Sequence, residues 1–76
     1  MKEILEVVIK NLVQDTDSVS IEEITSDSEM KYEVRVAQND MGRVIGKKGK
    51  IAQSIRTVMK AVAAKENKKV VVEFID

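Results

Sequence analysis

Seventy-six residues, 43% of them apolar and 34% charged, predict one small domain, 1–76, of a size that buries only about 60% of its unfolded surface. The absence of Cys and His excludes disulfide frameworks, thiolate and imidazole metal sites, Cys nucleophiles and His-based triads. Thirteen bases balance thirteen acids, yet residues 1–40 hold four bases and ten acids while residues 41–76 hold nine and three, so the neutral total leaves room for an anion-binding face.

No apolar run approaches a membrane span, and Glu3 and Glu6 stand where a signal peptide would be basic and then apolar, which predicts a cytoplasmic protein. Ile4, Leu5, Val8, Ile9 and Leu12 share one helical face over 2–14, with Glu3, Glu6, Lys10 and Asn11 mostly opposite. Asp15-Thr16-Asp17-Ser18 breaks the pattern as a turn. Val19 and Ile21 then alternate with Ser18 and Ser20 as in a half-buried strand, but Glu22-Glu23 shifts the phase before Ile24 and predicts a bulge or strand end near Glu22. Ser26-Asp27-Ser28-Glu29 reads as a hairpin turn. Met30, Tyr32, Val34 and Val36 alternate strictly with Lys31, Glu33 and Arg35, the clearest strand of the chain.

Asn39-Asp40 offers an N-cap for a short helix from Met41 to Ile45. Beyond the next few residues Ile51, Ile55, Val58, Met59 and Val62 form the core stripe of a helix of about four turns, ended near Lys65 to Lys69, where Asn67 suits a left-handed position. Val70 to Ile75 is short, apolar and β-branched, a last strand. The order α-β-β-α-α-β predicts an α+β fold: a three-stranded mixed sheet, first pair antiparallel, second pair parallel across a two-helix crossover, with the helices on one face.

All three glycines, Gly42, Gly46 and Gly49, fall in or just before Val44-Ile45-Gly46-Lys47-Lys48-Gly49-Lys50-Ile51. Glycine permits positive φ and close approach of another molecule to the backbone. A tight helix-to-helix joint carrying three lysines beside free N–H groups favours a phosphate. The plain alternative is a glycine-rich turn with solvated lysines.

This loop between two helices, in this element order, resembles the type II KH domain with its Ile-Gly-x-x-Gly signature. The stretch from Gly42 to Thr57 is similar, more particularly, to the small single-domain bacterial KH proteins of the KhpA group. The resemblance covers essentially the whole chain. It implies a non-enzymatic, cytoplasmic RNA-binding protein whose loop clamps about four single-stranded nucleotides. It further implies that Gly46 and Gly49 admit the sugar-phosphate chain and that Lys47 and Lys48 add charge. Val44, Ile45 and Ile51 would lie near an aliphatic groove floor, with Arg43 and Lys50 at its margin. Many KH domains carry a larger aliphatic residue where this chain has Ala52, so Ile51 and Ala52 both remain groove candidates. With Tyr32 and Phe74 the only aromatics, stacking on rings, worth about 1–3 kcal/mol per base, is not expected to drive binding, and sequence discrimination should be low. The family analogy adds an RNA chaperone or regulator role and a homodimer, or a heterodimer with a larger KH-containing protein. The alternative function is a dimerisation or protein-interaction subunit with RNA contact secondary.

Arg56 and Lys60 read either as a phosphate track or as exposed-face charge, and Glu22 and Glu23 as solubilising surface rather than an acid pair. The glycine spacing is neither a dinucleotide fingerprint nor a P-loop. No nucleophile, base and orienter can be assembled, and no cofactor, metal, small-molecule substrate or membrane partner is expected.

Overall fold

The computed structural model describes residues 1–75, and contains α1 (Lys2–Leu12), β1 (Ser20–Thr25), β2 (Glu29–Arg35), α2 (Met41–Ile45), α3 (Lys50–Ala64) and β3 (Lys69–Phe74). β2 is the central strand, antiparallel to β1 and parallel to β3. The hairpin between β1 and β2 closes at Ser26, whose N–H and hydroxyl both donate to the Glu29 carbonyl, at 2.9 and 3.1 Å. Parallel strands need a long crossover, and α2 and α3 supply it. The expected α-β-β-α-α-β order and mixed sheet are present.

Strand alternation puts Met30, Tyr32 and Val34 of β2 on the same side as Val70 and Val72 of β3. There they meet Leu5 and Ile9 of α1, Val44 of α2 and Ile55, Met59 and Ala63 of α3 in one cluster. The other sheet face is left to water. On it Lys31 Nζ lies between Glu33 and Glu73, at 3.5 and 3.6 Å, with Ile24 and Val71 as exposed apolar side chains to either side.

Three expectations are corrected. No bulge or strand end occurs at Glu22, since the β1–β2 register runs unbroken from Ser20↔Arg35 to Thr25↔Met30. The phase shift is absorbed by side chains instead. Ile24 faces solvent, 45% exposed, and Glu23, on the core side opposite Tyr32, accepts the buried Tyr32 hydroxyl at 2.7 Å. Glu23 is therefore more than solubilising surface. Burial, and the Glu23 carboxylate beside it, push the Tyr32 phenol above its ordinary range.

Of the expected α3 stripe, Ile55 and Met59 are buried, and Ala52 and Ala63 rather than Val58 complete the buried side. Val58 is 48% exposed, and Ile51 and Val62 are half-buried. Ile55, Met59 and Ala63 join the cluster with the sheet residues, while Val58 lies on the solvent side. The end of α3 does match expectation: Asn67 takes φ 56, and the N–H groups of Lys68 and Asn67 donate to Ala63 and Ala64 carbonyls at 3.0 and 3.1 Å, the paired bonds of a Schellman ending.

The expected N-cap of α2 is the third correction. No side-chain bond caps α2. Asp40 is 2% exposed and turns its carboxylate back toward the chain leaving α1. Its Oδ1 accepts the Gln14 N–H and its Oδ2 the Asp15 N–H, both at 3.0 Å. An ionised carboxylate offers two oxygens to such donors, and bonds of this kind favour the charged form. These two backbone bonds, and the Arg43 guanidinium after them, hold the Asp40 carboxyl below its ordinary value.

The observed stripe sets an expected outcome for two neighbouring substitutions. Met59→Ala empties a site with no exposed surface and should cost about 2–5 kcal/mol. Val58→Ala should stay within about 0.5 kcal/mol, both measured by denaturant unfolding.

Candidate nucleic-acid interface

α2 runs for five residues and stops at Gly46, whose N–H donates to the Gly42 carbonyl at 2.9 Å. Gly46 has φ 76 and ψ 175, a region open essentially to glycine alone. A Cβ there would sit 2.6 Å from Ile51 Cγ1, so the first turn of α3 folds its isoleucine directly over the bare backbone. Lys48 and Gly49 follow at φ 56 and φ 75, and the Gly49 N–H donates to the Gly46 carbonyl at 3.2 Å. Three of the four loop residues thus hold positive φ, which turns the chain from α2 into α3 within one short 3-10 turn.

Gly49 occupies the N-cap position of α3 and offers no side chain to cap it. The first N–H groups of a helix lack intrahelical partners and carry partial positive charge. Lys47, Lys48 and Lys50 surround them, all exposed, and none pairs with an acid among the described residues. Lys48 and Lys50 open onto a shallow hollow of about 560 Å³ along the outer side of α3. Its floor includes Ser54 and Thr57, whose hydroxyls donate to the Lys50 and Gln53 carbonyls, each at 3.0 Å. Both hydroxyl donors are already used within the helix, so the hollow offers an anion the two lysines and the Gln53 amide.

The residues expected to form the site divide by depth. Arg43, Lys47, Lys48 and Lys50 are exposed, and Ile45, Gly46, Gly49 and Ile51 are half-buried. Val44, expected near the groove floor, has no exposed surface; on a five-residue helix it is the side chain aimed at the core, and it supports the loop from beneath. Ala52 is likewise buried, at 2% exposure, which leaves Ile51 as the one with surface. Gly42 is exposed at normal helical φ, and a Cβ on it would meet nothing within 4 Å.

Arg56 is an exposed charge, as one expected reading had it, but it is not merely solvated. Its Nε donates to the Val72 carbonyl at 3.1 Å and its guanidinium lies 5.6 Å from the Phe74 ring centroid. It ties α3 to the outer edge of β3 across a small cleft of about 160 Å³, which Lys60 also borders. The pairing of Asp40 with Arg43, Nε to Oδ1 at 3.2 Å, was not foreseen; the i, i+3 spacing of an acid just before α2 and a base within it was its only trace in the sequence.

A family model described as KhpA/KhpB, KH domain, matches residues 2–74. Among curated relatives, the RNA-binding protein KhpA of Clostridium acetobutylicum is 53% identical over 75 residues, spanning 99% of this chain and 100% of the relative. That of Clostridium perfringens is 51% identical over the same spans, and that of Listeria monocytogenes 41% identical over 76 residues, the whole of both. No solved structure matches the chain. The chain belongs to the KhpA/KhpB family of KH domains, which is not an enzyme family.

Substituting alanine at each glycine should separate the three roles in thermal or denaturant unfolding. Gly42→Ala should stabilise by about 0.5–1 kcal/mol. Gly49→Ala should cost about 1–2 kcal/mol for its left-handed φ. Gly46→Ala should cost more than Gly49→Ala, because the strain is joined by the clash with Ile51.

Proposed function

We propose that this chain is a KH unit, spanning 1–76, that binds single-stranded RNA by its sugar-phosphate backbone at Gly46-Lys47-Lys48-Gly49. The observation that carries this reading is the loop itself: backbone bared at two glycines, an uncapped helix start and three lysines without acidic partners. Lys47 and Lys48 supply charge, Lys50 and Arg43 flank the phosphate path, and Ile45 and Ile51 offer apolar surface to the sugars and bases. The curated relatives' name, RNA-binding protein, agrees with it.

Sequence discrimination is low because neither aromatic ring is available to stack a base. Tyr32 is wholly buried and Phe74 lies beneath Arg56. A backbone grip of this kind suits an RNA chaperone or regulator acting on many transcripts in the cytoplasm.

A second reading makes the chain chiefly a subunit that pairs with itself or with a larger KH-containing protein. It is favoured by two apolar side chains standing in solvent on α1, Ile4 at 42% and Val7 at 61% exposure. Light scattering decides it: a dimer that Val7→Glu dissociates supports this reading, and a monomer in both proteins removes its basis.

The first reading predicts that log affinity for a labelled single-stranded RNA falls against log salt with a slope of about 2–3, from roughly 0.7 for each of three or four phosphates. A folded Lys47→Asp, Lys48→Asp variant should lose most binding and flatten the slope. Unchanged binding by that variant would make the loop a structural turn.

A further inference from the structure

Asp40 is the one charged side chain buried among the described residues, and it lies one residue before α2, close in sequence to a loop built to attract phosphate. A carboxylate so placed opposes RNA unless its charge is used. Part of it is used by the Gln14 and Asp15 N–H groups. The remainder faces Arg43, whose Nε lies 3.2 Å from Oδ1 while its side chain stays 48% exposed. The Nη groups of Arg43 meet no acceptor among the described residues. One end of the guanidinium is therefore held by a carboxylate that is itself fixed by two backbone bonds, and the other end is free. Arg43 stands three residues before Gly46, one helical turn from the loop.

We propose that Asp40 is a positioning residue for RNA binding: anchored on the Gln14 and Asp15 N–H groups, it holds Arg43 with its free Nη pair presented to a phosphate beside the Gly46–Gly49 loop. This rests on the RNA-binding reading above. A guanidinium presents a planar pair of donors that matches a phosphate bidentately. Fixing a long side chain before binding removes an ordering cost otherwise met when the complex forms. The same carboxylate ties the exit of α1 to the start of α2, so the orientation of Arg43 is set by the packed body of the protein rather than by the exposed helix alone.

The dependence of one substitution on Arg43 separates this role from a purely structural one. Neutralising an acid near a phosphate site by itself favours RNA binding, and a lost staple would weaken binding whether or not Arg43 is present. If Asp40 positions Arg43, neutralising it should weaken binding only while Arg43 is there. Binding of a labelled single-stranded oligouridine would be measured for wild type, Asp40→Asn, Arg43→Gln, the double variant, Arg43→Lys, and the Lys47→Asp, Lys48→Asp variant, at temperatures where circular dichroism shows each folded.

The expected result is a loss of about two- to tenfold for Asp40→Asn, no further loss from Asp40→Asn once Arg43 is Gln, and a similar loss for Arg43→Lys with the salt slope retained. Arg43→Lys leaves the backbone bonds of Asp40 in place and tests the guanidinium contact on which positioning depends, so wild-type affinity there overturns the proposal whether or not Asp40→Asn folds. Equal or tighter binding by Asp40→Asn, or wild-type affinity in Arg43→Lys, would overturn the positioning role while the loop variant still reports loop-dependent binding. Wild-type affinity in the loop variant would overturn the loop reading and this proposal with it.

Discussion

The reversal between α2 and α3 depends on a contact in which a side chain would not fit. Ile51 packs over Gly46 so closely that a Cβ would fall within 3 Å of three of its atoms, and the backbone escapes through positive φ at Gly46, Lys48 and Gly49. Because α3 starts at the last of these, its direction across the sheet is set there. That direction brings Ile55, Met59 and Ala63 onto the sheet, and β3 returns parallel to β2. The same four residues that fix the fold's crossover also bare its backbone and lift Lys47 and Lys48 clear of the body.

The zero net charge is resolved in space. Glu22, Glu33 and Glu73 share the outer sheet face with Lys31, whereas the loop lysines stand between the helices that cover the other side. The molecule measures 34 × 23 × 19 Å, and at physiological salt charges are screened over about 8 Å. An approaching phosphate therefore meets the local field of the loop rather than the neutral sum. Asp40, the acid nearest the loop in sequence, is quenched by two backbone N–H groups and a guanidinium.

Much of the fold was legible because its signals are local. The alternation from Met30 to Val34 needs only a pleated strand with one wet face, and the glycine spacing at Gly46 and Gly49 needs only a sharp turn. Asn67 was legible as the left-handed end of α3 for the same reason. What escaped was long-range. Asp40 looks like an N-cap because an N-cap also satisfies N–H groups, but its partners lie 25 and 26 residues away and, being backbone, leave no mark in the sequence. Glu23 read as surface because nothing marks the Tyr32 hydroxyl as its donor. The α3 stripe misled because hydropathy favours Val58 over Ala52 and Ala63, while burial depends on which side of the helix each residue occupies.

Two positions hold residues that the backbone around them does not favour. Lys48 sits at φ 56, where a non-glycine residue bears about 1–2 kcal/mol, a real fraction of the roughly 4–11 kcal/mol available to a chain of this length. Glycine there would relieve the strain and lose the charge. Gly42 presents the reverse: a helical φ and open space where alanine would be steadier. A side chain is kept where the backbone prefers none, and one is withheld where the backbone would welcome it. Local rules are broken chiefly at functional sites, and both breaches lie within seven residues of each other around the same loop. The fold's own stability explains neither, whereas the phosphate path proposed above, crossing α2 and the loop close to bare backbone at Gly42 and to the charge at Lys48, would account for both.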